Sequence, residues 1–210
     1  MTEFIYFDLG KVLLDFDHGK ACKQVADLAG ITEAAVRQLV FEDDGLLLQF
    51  ETGMIDERQF HAAFCRATGT DTDLSMFLNA YSDIFEVIPA MAELVRTLHS
   101  ASVPLGILSN TSAAHWNLVC DGRFPFLPGL FREHVLSYEA QAMKPDVSIY
   151  ELAVRRSGCC AASIFFCDDK EENISGAIAA GLDAVLFESY DQIRDELQWR
   201  LERVSELRGP

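Results

Sequence analysis

The sequence is short of positive charge. It has 17 Lys and Arg residues against 33 Asp and Glu residues, which gives a formal net charge of −16. Proteins that bind nucleic acids or anionic lipid surfaces neutralise phosphates with Lys and Arg. The composition therefore argues against nucleic acid and against a membrane as partners. A small anionic substrate stays compatible with it if a few cations are gathered at one place.

The sequence also lacks long apolar runs. No stretch has the length and hydrophobicity of a transmembrane span, and no basic and apolar leader precedes the first strand-like run. Half of the 210 residues are hydrophobic and 24% are charged, which is the balance of a globular protein. We therefore expect a cytoplasmic globular protein, as a monomer or a weak homodimer.

Two common nucleotide-binding loops are missing. The sequence contains neither a Gly-x-x-x-x-Gly-Lys-Ser/Thr phosphate loop nor a Gly-x-Gly-x-x-Gly dinucleotide turn. Its six cysteines form no Cys-x-x-Cys pair and show no metal-binding spacing with histidine. We expect these cysteines to be reduced thiols, most of them in the core.

Short apolar runs alternate with helical patterns along most of the chain. The strand-like runs are residues 4–8, 104–108, 133–137, 164–168 and 183–187. Helical spacing covers residues 89–101, 112–121, 146–157, 171–180 and 190–207, with Pro89 in a first turn and Gly181 at a helix end. This alternation is typical of βαβ units. We predict an α/β fold, a Rossmann-like doubly wound parallel sheet.

About 80 residues between the first two strands show no convincing strand pattern. Helical spacing covers residues 18–29, 32–43, 56–68 and 73–85, with Asp56 as a helix N-cap. The segment leaves the sheet where the first strand ends, so it would lie over the edge at which open α/β sheets bind ligands. We therefore predict a core domain of residues 1–14 and 88–210, and an inserted α-helical cap domain of residues 15–87.

Polar residues stand where the predicted strands end or in the loops beyond them. They are Asp8, Ser109, Asn110, Lys144, Asp168 and Asp169. Each alone has an ordinary explanation as a cap, turn or loop residue. Together, at one edge of a sheet, carboxylate oxygens suit Mg²⁺, while an amine and a hydroxyl suit a phosphate. Their order and shared edge favour an active site that binds magnesium and a phosphate group.

Four segments carry a family resemblance. FDLGKVL, LSNTS, MKPD and CDDKEEN, in this order, resemble the motifs of the haloacid dehalogenase-like hydrolases, and the helical insertion resembles their cap. FDLG, FETGMIDERQF and DDKEENISGAIAAGLDAVLF further resemble the sugar-phosphate phosphatase branch, which includes α-glucose-1-phosphate phosphatases. The resemblance covers nearly the whole chain. It implies a magnesium-dependent phosphatase of small phosphate monoesters, such as glucose 1-phosphate.

The resemblance also implies a role for each of these residues. Asp8 would attack phosphorus and form an aspartyl-phosphate, which water then hydrolyses. Ser109 and Asn110 would bind the phosphoryl group, and Lys144 would neutralise both the phosphate and Asp8. The magnesium ligands would be the carboxylates of Asp8 and Asp169, helped by Asp168, and the carbonyl group of Gly10.

Two adjacent positions, Gly10 and Lys11, depart from the pattern of the family. The common first motif is Asp-x-Asp-Gly, whose second aspartate protonates the leaving alcohol, but Gly10 stands there, and Lys11 follows it. Without this acid, the enzyme should prefer substrates whose leaving group departs with little help from a proton donor. Sugar 1-phosphates should therefore be hydrolysed with a higher kcat/KM than sugar 6-phosphates. Asp15, Asp17 and His18 are candidates for a replacement proton donor.

Two other functions stay open at this stage. One is a 2-haloacid dehalogenase-type hydrolase, which also uses an aspartate nucleophile but needs no metal. Adjacent Asp168 and Asp169 count against it, because crowded carboxylates repel each other unless a cation bridges them. The other is a non-catalytic binding or regulatory protein that kept the pocket after the loss of the acid at Gly10.

Overall fold

The computed structural model describes residues 2–42, 45–127 and 129–201. The strands, in chain order, are β1 (Phe4–Phe7), β2 (Leu14–Phe16), β3 (Phe85–Val87), β4 (Leu105–Ser109), β5 (Glu133–Leu136), β6 (Ile164–Asp168) and β7 (Asp183–Leu186). The helices are α1 (His18–Ala29), α2 (Glu33–Val40), α3 (Leu46–Glu51), α4 (Glu57–Thr68), α5 (Leu74–Ser82), α6 (Pro89–Ser100), α7 (Ala113–Val119), α8 (Ser137–Ala140), α9 (Val147–Ser157), α10 (Glu171–Ala179) and α11 (Tyr190–Arg200). Within these described ranges, none of the helices has the length and apolar character that crossing a membrane requires.

A five-stranded parallel sheet forms the centre of the fold, in the order β5-β4-β1-β6-β7. β1 lies in the middle, and its alternating side chains enter two different cores because successive residues of a strand point to opposite faces. Ile5 and Phe7 pack with α6 and α11 on one face, whereas Phe4 and Tyr6 pack with α9 and α10 on the other. Helices thus cover both faces, which confirms the predicted Rossmann-like doubly wound α/β fold.

The segment between β1 and β4 contains α1 to α5 and has an apolar core of its own. Buried aromatic side chains dominate this core, with Phe60, Phe64 and Phe77 all fully buried. Ala114 of α7 belongs to the same cluster, so the helices pack directly on the sheet domain. Asp56 is the N-cap of α4 as predicted: its carboxylate accepts a hydrogen bond from the Gln59 N–H at 2.8 Å, and the Gln59 side chain accepts one from the Asp56 N–H.

Two features of this segment differ from the sequence prediction. β2 and β3 pair as an antiparallel ribbon where the chain leaves and re-enters the sheet domain, although no strand was expected there. Each has only three residues, which is too short to show a period of two in the sequence. The short helix α3 was also missed, since six residues span less than two turns.

The predicted strands of the main sheet are present within about one residue of their expected bounds. Helix ends differ more. The helix predicted over 190–207 ends at Arg200, and residues 202–210 lie outside the described residues. Similarly, α2 ends at Val40, and residue 43 of the predicted helix is outside them. Gly181 follows α10 with a left-handed φ of 87°, which suits glycine at the end of a helix.

Candidate active site

Asp8 follows the central strand and lies at the carboxyl edge of the sheet. Its N–H donates to the Cys167 carbonyl oxygen at 3.0 Å, which continues the pairing of β1 with β6. The side chain turns back, and its Oδ1 accepts a hydrogen bond from the Leu9 N–H at 2.7 Å. The residue is only 8% exposed. A carboxylate so deeply placed needs a charged partner or a ligand.

Lys144 supplies that partner. Its Nζ lies 2.9 Å from Oδ1 of Asp8 and 2.6 Å from Oδ2 of Asp168, and it also donates to the Leu108 carbonyl oxygen at 2.9 Å. Burial lowers the pKa of Lys144, but the charges of Asp8 and Asp168 outweigh it and leave that pKa above its ordinary value. The ammonium group therefore stays charged, fixed between two carboxylates.

Burial has the opposite effect on the nucleophile candidate. It raises the pKa of the Asp8 carboxyl, whereas the Lys144 charge and hydrogen bonds from Lys144 and Ser109 lower it. The net direction is upward, and the nearby charge of Asp168 adds to it. A further cation in this position would favour the ionised, reactive form of Asp8.

Three carboxylates form an acidic cluster at the ends of β1 and β6. One oxygen from each of Asp8, Asp168 and Asp169 lies within 4.8 Å of the others. Three hard oxygen donors around one ammonium group leave excess negative charge, so the donor set fits a divalent cation such as Mg²⁺. Burial and the charge of Asp168 raise the pKa of Asp169, which a bound cation would reverse.

The two aspartates of this pair have different surroundings. Asp168 is fully buried and accepts hydrogen bonds from the Asn173 side-chain amide at 2.9 and 3.0 Å and from the Lys170 N–H at 2.9 Å. With Lys144 on its other side, it is well placed to orient the ammonium group. Asp169 is half-buried and stands closer to solvent.

Ser109 and Asn110 lie at the end of β4, next to β1 in the sheet. Ser109 is buried at the cavity described below. The Asn110 side chain donates to the Lys144 carbonyl oxygen and accepts from the Lys144 N–H, both at 2.9 Å. Asn110 therefore anchors the backbone of the loop that carries Lys144, which the sequence did not indicate.

Gly10 has no room for a larger side chain. A Cβ atom built on it would lie 2.7 Å from Cε1 of Phe16, a carbon of a ring that packs against His18 and Phe85. Lys11, beside it, has a left-handed φ of 59°, and its ammonium group pairs with Asp15 at 2.5 Å. The aromatic ring of Phe16 thus stands where the usual acidic side chain of this motif would begin.

A cavity of about 50 Å³ lies between the sheet edge and the helical segment. The sheet domain contributes Leu9, Gly10, Ser109, Asn110, Thr111 and His115, and the segment contributes Phe16, His18, Glu51, Ile84 and Phe85. Sequence reasoning identified Gly10, Ser109 and Asn110 as site residues and named His18 only as a possible proton donor. Glu51 and His115 were missed, because a single sequence does not show which side chains of the helical segment or of α7 face the cavity.

His115 belongs to α7 and lines this cavity. It is 4% exposed, with its ring stacked on Tyr81 at 4.4 Å and hydrogen-bonded to the Tyr81 backbone. Its Nε2 has no hydrogen-bond partner among the described residues. Burial lowers the pKa of His115 to about 3, so the ring is neutral.

Known proteins resemble this chain over most of its length. It is 24% identical over 202 residues to a D-ribitol-5-phosphate phosphatase from Bacteroides thetaiotaomicron, covering 94% of this chain and 97% of that protein. It is 27% identical over 200 residues to a glyceraldehyde 3-phosphate phosphatase from Methanothermobacter thermautotrophicus, covering 90% and 87%. The fold matches that of a HAD family enzyme from B. thetaiotaomicron solved with magnesium and inorganic phosphate, with a TM-score of 0.82, 23% identity and coverage of 92% and 99%.

The family assignment rests on a longer match than any single motif. The model of the haloacid dehalogenase-like hydrolase family matches residues 4–181, which include Asp8, Ser109, Lys144, Asp168 and Asp169. Lys144 lies in the loop before α9, and the other four side chains stand at the ends of β4, β1 and β6, which are adjacent in the sheet. This chain belongs to the haloacid dehalogenase-like hydrolases.

Proposed function

We propose that this protein is a magnesium-dependent phosphatase that hydrolyses small phosphate monoesters through an aspartyl-phosphate on Asp8. The observation that carries the proposal is the buried Asp8 carboxylate, 2.9 Å from the Lys144 ammonium group and within 4.8 Å of the Asp168 and Asp169 oxygens. This set combines a nucleophile, a cation for the phosphoryl oxygens and oxygen donors for a metal.

Asp8 attacks phosphorus with a carboxylate oxygen, and the bond to the leaving oxygen breaks. Lys144 holds Asp8 in place and offsets the charge of the phosphoryl group, while the Ser109 hydroxyl donates to a phosphoryl oxygen. Asp168 orients Lys144 through the 2.6 Å contact. A magnesium ion held by Asp8, Asp169 and the Gly10 carbonyl, with help from Asp168, would supply positive charge against the phosphate. Water then cleaves the aspartyl-phosphate and frees Asp8.

We propose small sugar or polyol phosphates as the substrates. The names of the two curated relatives, acting on D-ribitol 5-phosphate and glyceraldehyde 3-phosphate, support this class. Glucose 1-phosphate is a member of the class and the candidate that the sequence motifs favour. The cavity beside Ser109 is small, about 50 Å³, which is consistent with a compact substrate and with a site that opens to admit it.

A phosphate-release assay tests the function directly. The panel comprises glucose 1-phosphate, glucose 6-phosphate, D-ribitol 5-phosphate and glyceraldehyde 3-phosphate, each with magnesium and with a chelator. We expect release from at least one member and loss of that release on chelation. A 2-haloacid in place of the phosphate esters tests the alternative chemistry: halide release that persists with the chelator would contradict the proposal.

Asp169→Asn should weaken the response to magnesium. The substitution removes the charge of one of the three clustered carboxylates and leaves the Lys144 contacts of Asp8 and Asp168 in place. We expect half-maximal activity to require at least about tenfold more magnesium. Asp71→Asn, in an exposed loop of the helical segment, is the matched control and should leave the requirement unchanged. An unchanged titration in Asp169→Asn would remove this residue from the metal site.

We propose that residues 15–87 act as a cap over the site and that Gly53 permits their close approach. Gly53 follows α3 with a φ of 69°, and a Cβ atom on it would lie 2.2 Å from the Tyr138 carbonyl oxygen. Tyr138 belongs to α8 of the sheet domain, so the end of α3 rests on its backbone. A larger residue would push the cap away from the sheet edge.

Gly53→Ala should therefore lower kcat/KM for the best sugar or polyol phosphate by about tenfold or more, because misplacement by an ångström can cost about 10²-fold. Gly69→Ala is a matched control: Gly69 has the same φ of 69°, but a Cβ atom there meets nothing within 4 Å. Both variants bear the backbone strain of a left-handed residue, and only the first displaces the cap. If Gly53→Ala and Gly69→Ala lose the same amount of kcat/KM, the contact between Gly53 and Tyr138 is not the cause.

A further inference from the structure

The leaving-group proton has no donor at the usual position of the motif. Gly10 bears no side chain, and the Phe16 ring fills the adjoining space. Of the two neighbouring aspartates, Asp15 is exposed and paired with Lys11, and Asp17 accepts the Gly19 N–H at 2.7 Å as the N-cap of α1. Neither of them lines the cavity. An acid for the leaving group must therefore come from another part of the cavity wall.

Three titratable side chains line the cavity: His18, Glu51 and His115. Burial lowers the pKa of both histidines, to about 3 for His115, so neither is charged near neutral pH. The His115 ring uses its other nitrogen toward the Tyr81 backbone, which leaves Nε2 as an acceptor. Only Glu51 retains a proton that it can give up readily near pH 7.

Glu51 is the last residue of α3 and is held over the site by the adjoining turn. Gly53, two residues later, rests on the Tyr138 backbone of the sheet domain. The cavity puts Glu51 on the cap wall, while Gly10 and Ser109 lie on the sheet-domain wall. In an in-line displacement at Asp8, the leaving oxygen departs on the side away from the nucleophile, which is the side of the cap.

Several charged or titratable groups surround Glu51 on the neighbouring elements. Lys170 precedes α10, Asp8 follows β1, Lys144 lies in the loop before α9, and Tyr81 is on α5; His18 and His115 share the cavity. Burial raises the pKa of Glu51 to about 7, with Asp8 adding to the rise and Lys170 and Lys144 opposing it. Two lysines thus limit the rise, and the proton stays transferable.

We infer that the Glu51 carboxyl group is the general acid of this enzyme, in place of the acidic side chain that Gly10 lacks. The inference rests on the proposed phosphatase function. As the Asp8 oxygen bonds to phosphorus, the P–O bond to the leaving group breaks, its electron pair stays on that oxygen, and Glu51 gives the oxygen its proton. In the second step the Glu51 carboxylate takes a proton from the attacking water, and the electron pair of the Asp8–phosphorus bond returns to Asp8. Both carboxyl groups then have their initial charge.

Glu51→Gln tests the assignment through the leaving group. Glycerol 3-phosphate must release an alkoxide that needs a proton, whereas 4-nitrophenyl phosphate releases a phenolate that does not. We expect kcat/KM to fall by about 10²- to 10⁴-fold for the first and by less than about threefold for the second. kcat/KM is the right quantity, because it covers the steps up to departure of the leaving group. A burst of 4-nitrophenolate should precede slower turnover, because the second step loses its base.

Controls separate this role from substrate contact and from the proposed function itself. Glu33→Gln, on the exposed side of α2, should match the wild type. The dependence of kcat/KM on leaving-group pKa should be measured for the wild type and for Glu51→Gln with a series of aryl phosphates. If Glu51 only binds substrate hydroxyls, this dependence is the same in both proteins. That result would overturn the inference and leave the proposed phosphatase function intact. A wild type that hydrolyses no phosphate ester at all would overturn both.

A second readout needs no turnover. Between about pH 5 and 7, folded Glu51 keeps a proton that the unfolded chain has released, so its contribution to stability falls as the pH rises through this window. Glu51→Gln removes the titration. In metal-free protein, the Tm of the variant relative to wild type should rise by several degrees from pH 5 to 8. A constant difference, with Glu33→Gln behaving as the wild type, would contradict the protonated state that the inference requires.

Discussion

Asp8→Asn should be inactive, with kcat lowered by more than about 10⁴-fold for every phosphate ester that the wild type hydrolyses. An amide oxygen or nitrogen in place of the Asp8 carboxylate cannot form the aspartyl-phosphate. The loss should be the same for 4-nitrophenyl phosphate and for glycerol 3-phosphate, because the nucleophile is needed whatever the leaving group. This pattern differs from the one expected of Glu51→Gln, so the two roles can be told apart in one assay.

The fold should survive this substitution. Asp8 is buried with a raised pKa, so a neutral side chain of the same shape loses the ion pair with Lys144 but also escapes the cost of a buried charge. Circular dichroism and Tm of the variant should therefore stay close to those of the wild type. Asp27→Asn, on the exposed face of α1, serves as the matched control and should keep full activity. Substantial hydrolysis by a folded Asp8→Asn protein would end the proposed mechanism, and wild-type inactivity would favour the non-catalytic alternative.

Lys144→Met should be both inactive and markedly less stable. The substitution removes the ammonium group that stands 2.9 Å from Asp8 and 2.6 Å from Asp168, and it leaves two buried carboxylates facing each other without a cation. Breaking a buried pair in this way typically costs about 3–5 kcal/mol. Urea unfolding in metal-free buffer measures the loss, with Lys23→Met in an exposed i,i+4 pair as the control at well under 1 kcal/mol.

A double variant shows whether charge is the cause. Asp168→Asn removes one of the two stranded carboxylates and keeps an oxygen for the Asn173 amide and the Lys170 N–H. Combined with Lys144→Met, it should recover about 1–3 kcal/mol of the lost unfolding free energy. Two results would show that the ion pairs contribute no net coupling. In one, Lys144→Met unfolds at the same urea concentration as the wild type. In the other, the double variant loses as much unfolding free energy as the two single variants lose together.

The electrostatics of the cluster bear on the choice between phosphatase and dehalogenase. Three carboxylates share the site with the Lys144 ammonium group, and Asp169 is close to solvent, where a cation can reach it. A metal-independent enzyme would have to hold this excess negative charge beside its own nucleophile. The arrangement is better suited to a reaction in which both a divalent cation and a phosphate group enter.

Local patterns in the sequence determined the main sheet and most of the helices. Short apolar runs such as FIYF and IFFCD are typical of strands in the middle of a parallel sheet, where both faces are buried. Because parallel strands end at the same edge, the polar residues that follow them could be predicted to meet, and Asp8, Asp168, Asp169 and Lys144 do lie together. The N-cap at Asp56 was likewise predictable, since it involves residues only three apart.

Tertiary structure alone decided which residues of the helical segment face the site. Glu51 belongs to a short helix that the sequence did not reveal, and it lines the cavity beside Gly53, which lies close to the Tyr138 backbone 85 positions further along the chain. The same holds for Phe16, whose ring fills the space beside Gly10, and for Asn110, which holds the Lys144 loop rather than standing free. Periodicity and motifs report on neighbours within a few turns of the chain. The surroundings of a carboxyl group, and with them its charge and chemistry, depend on packing between distant segments.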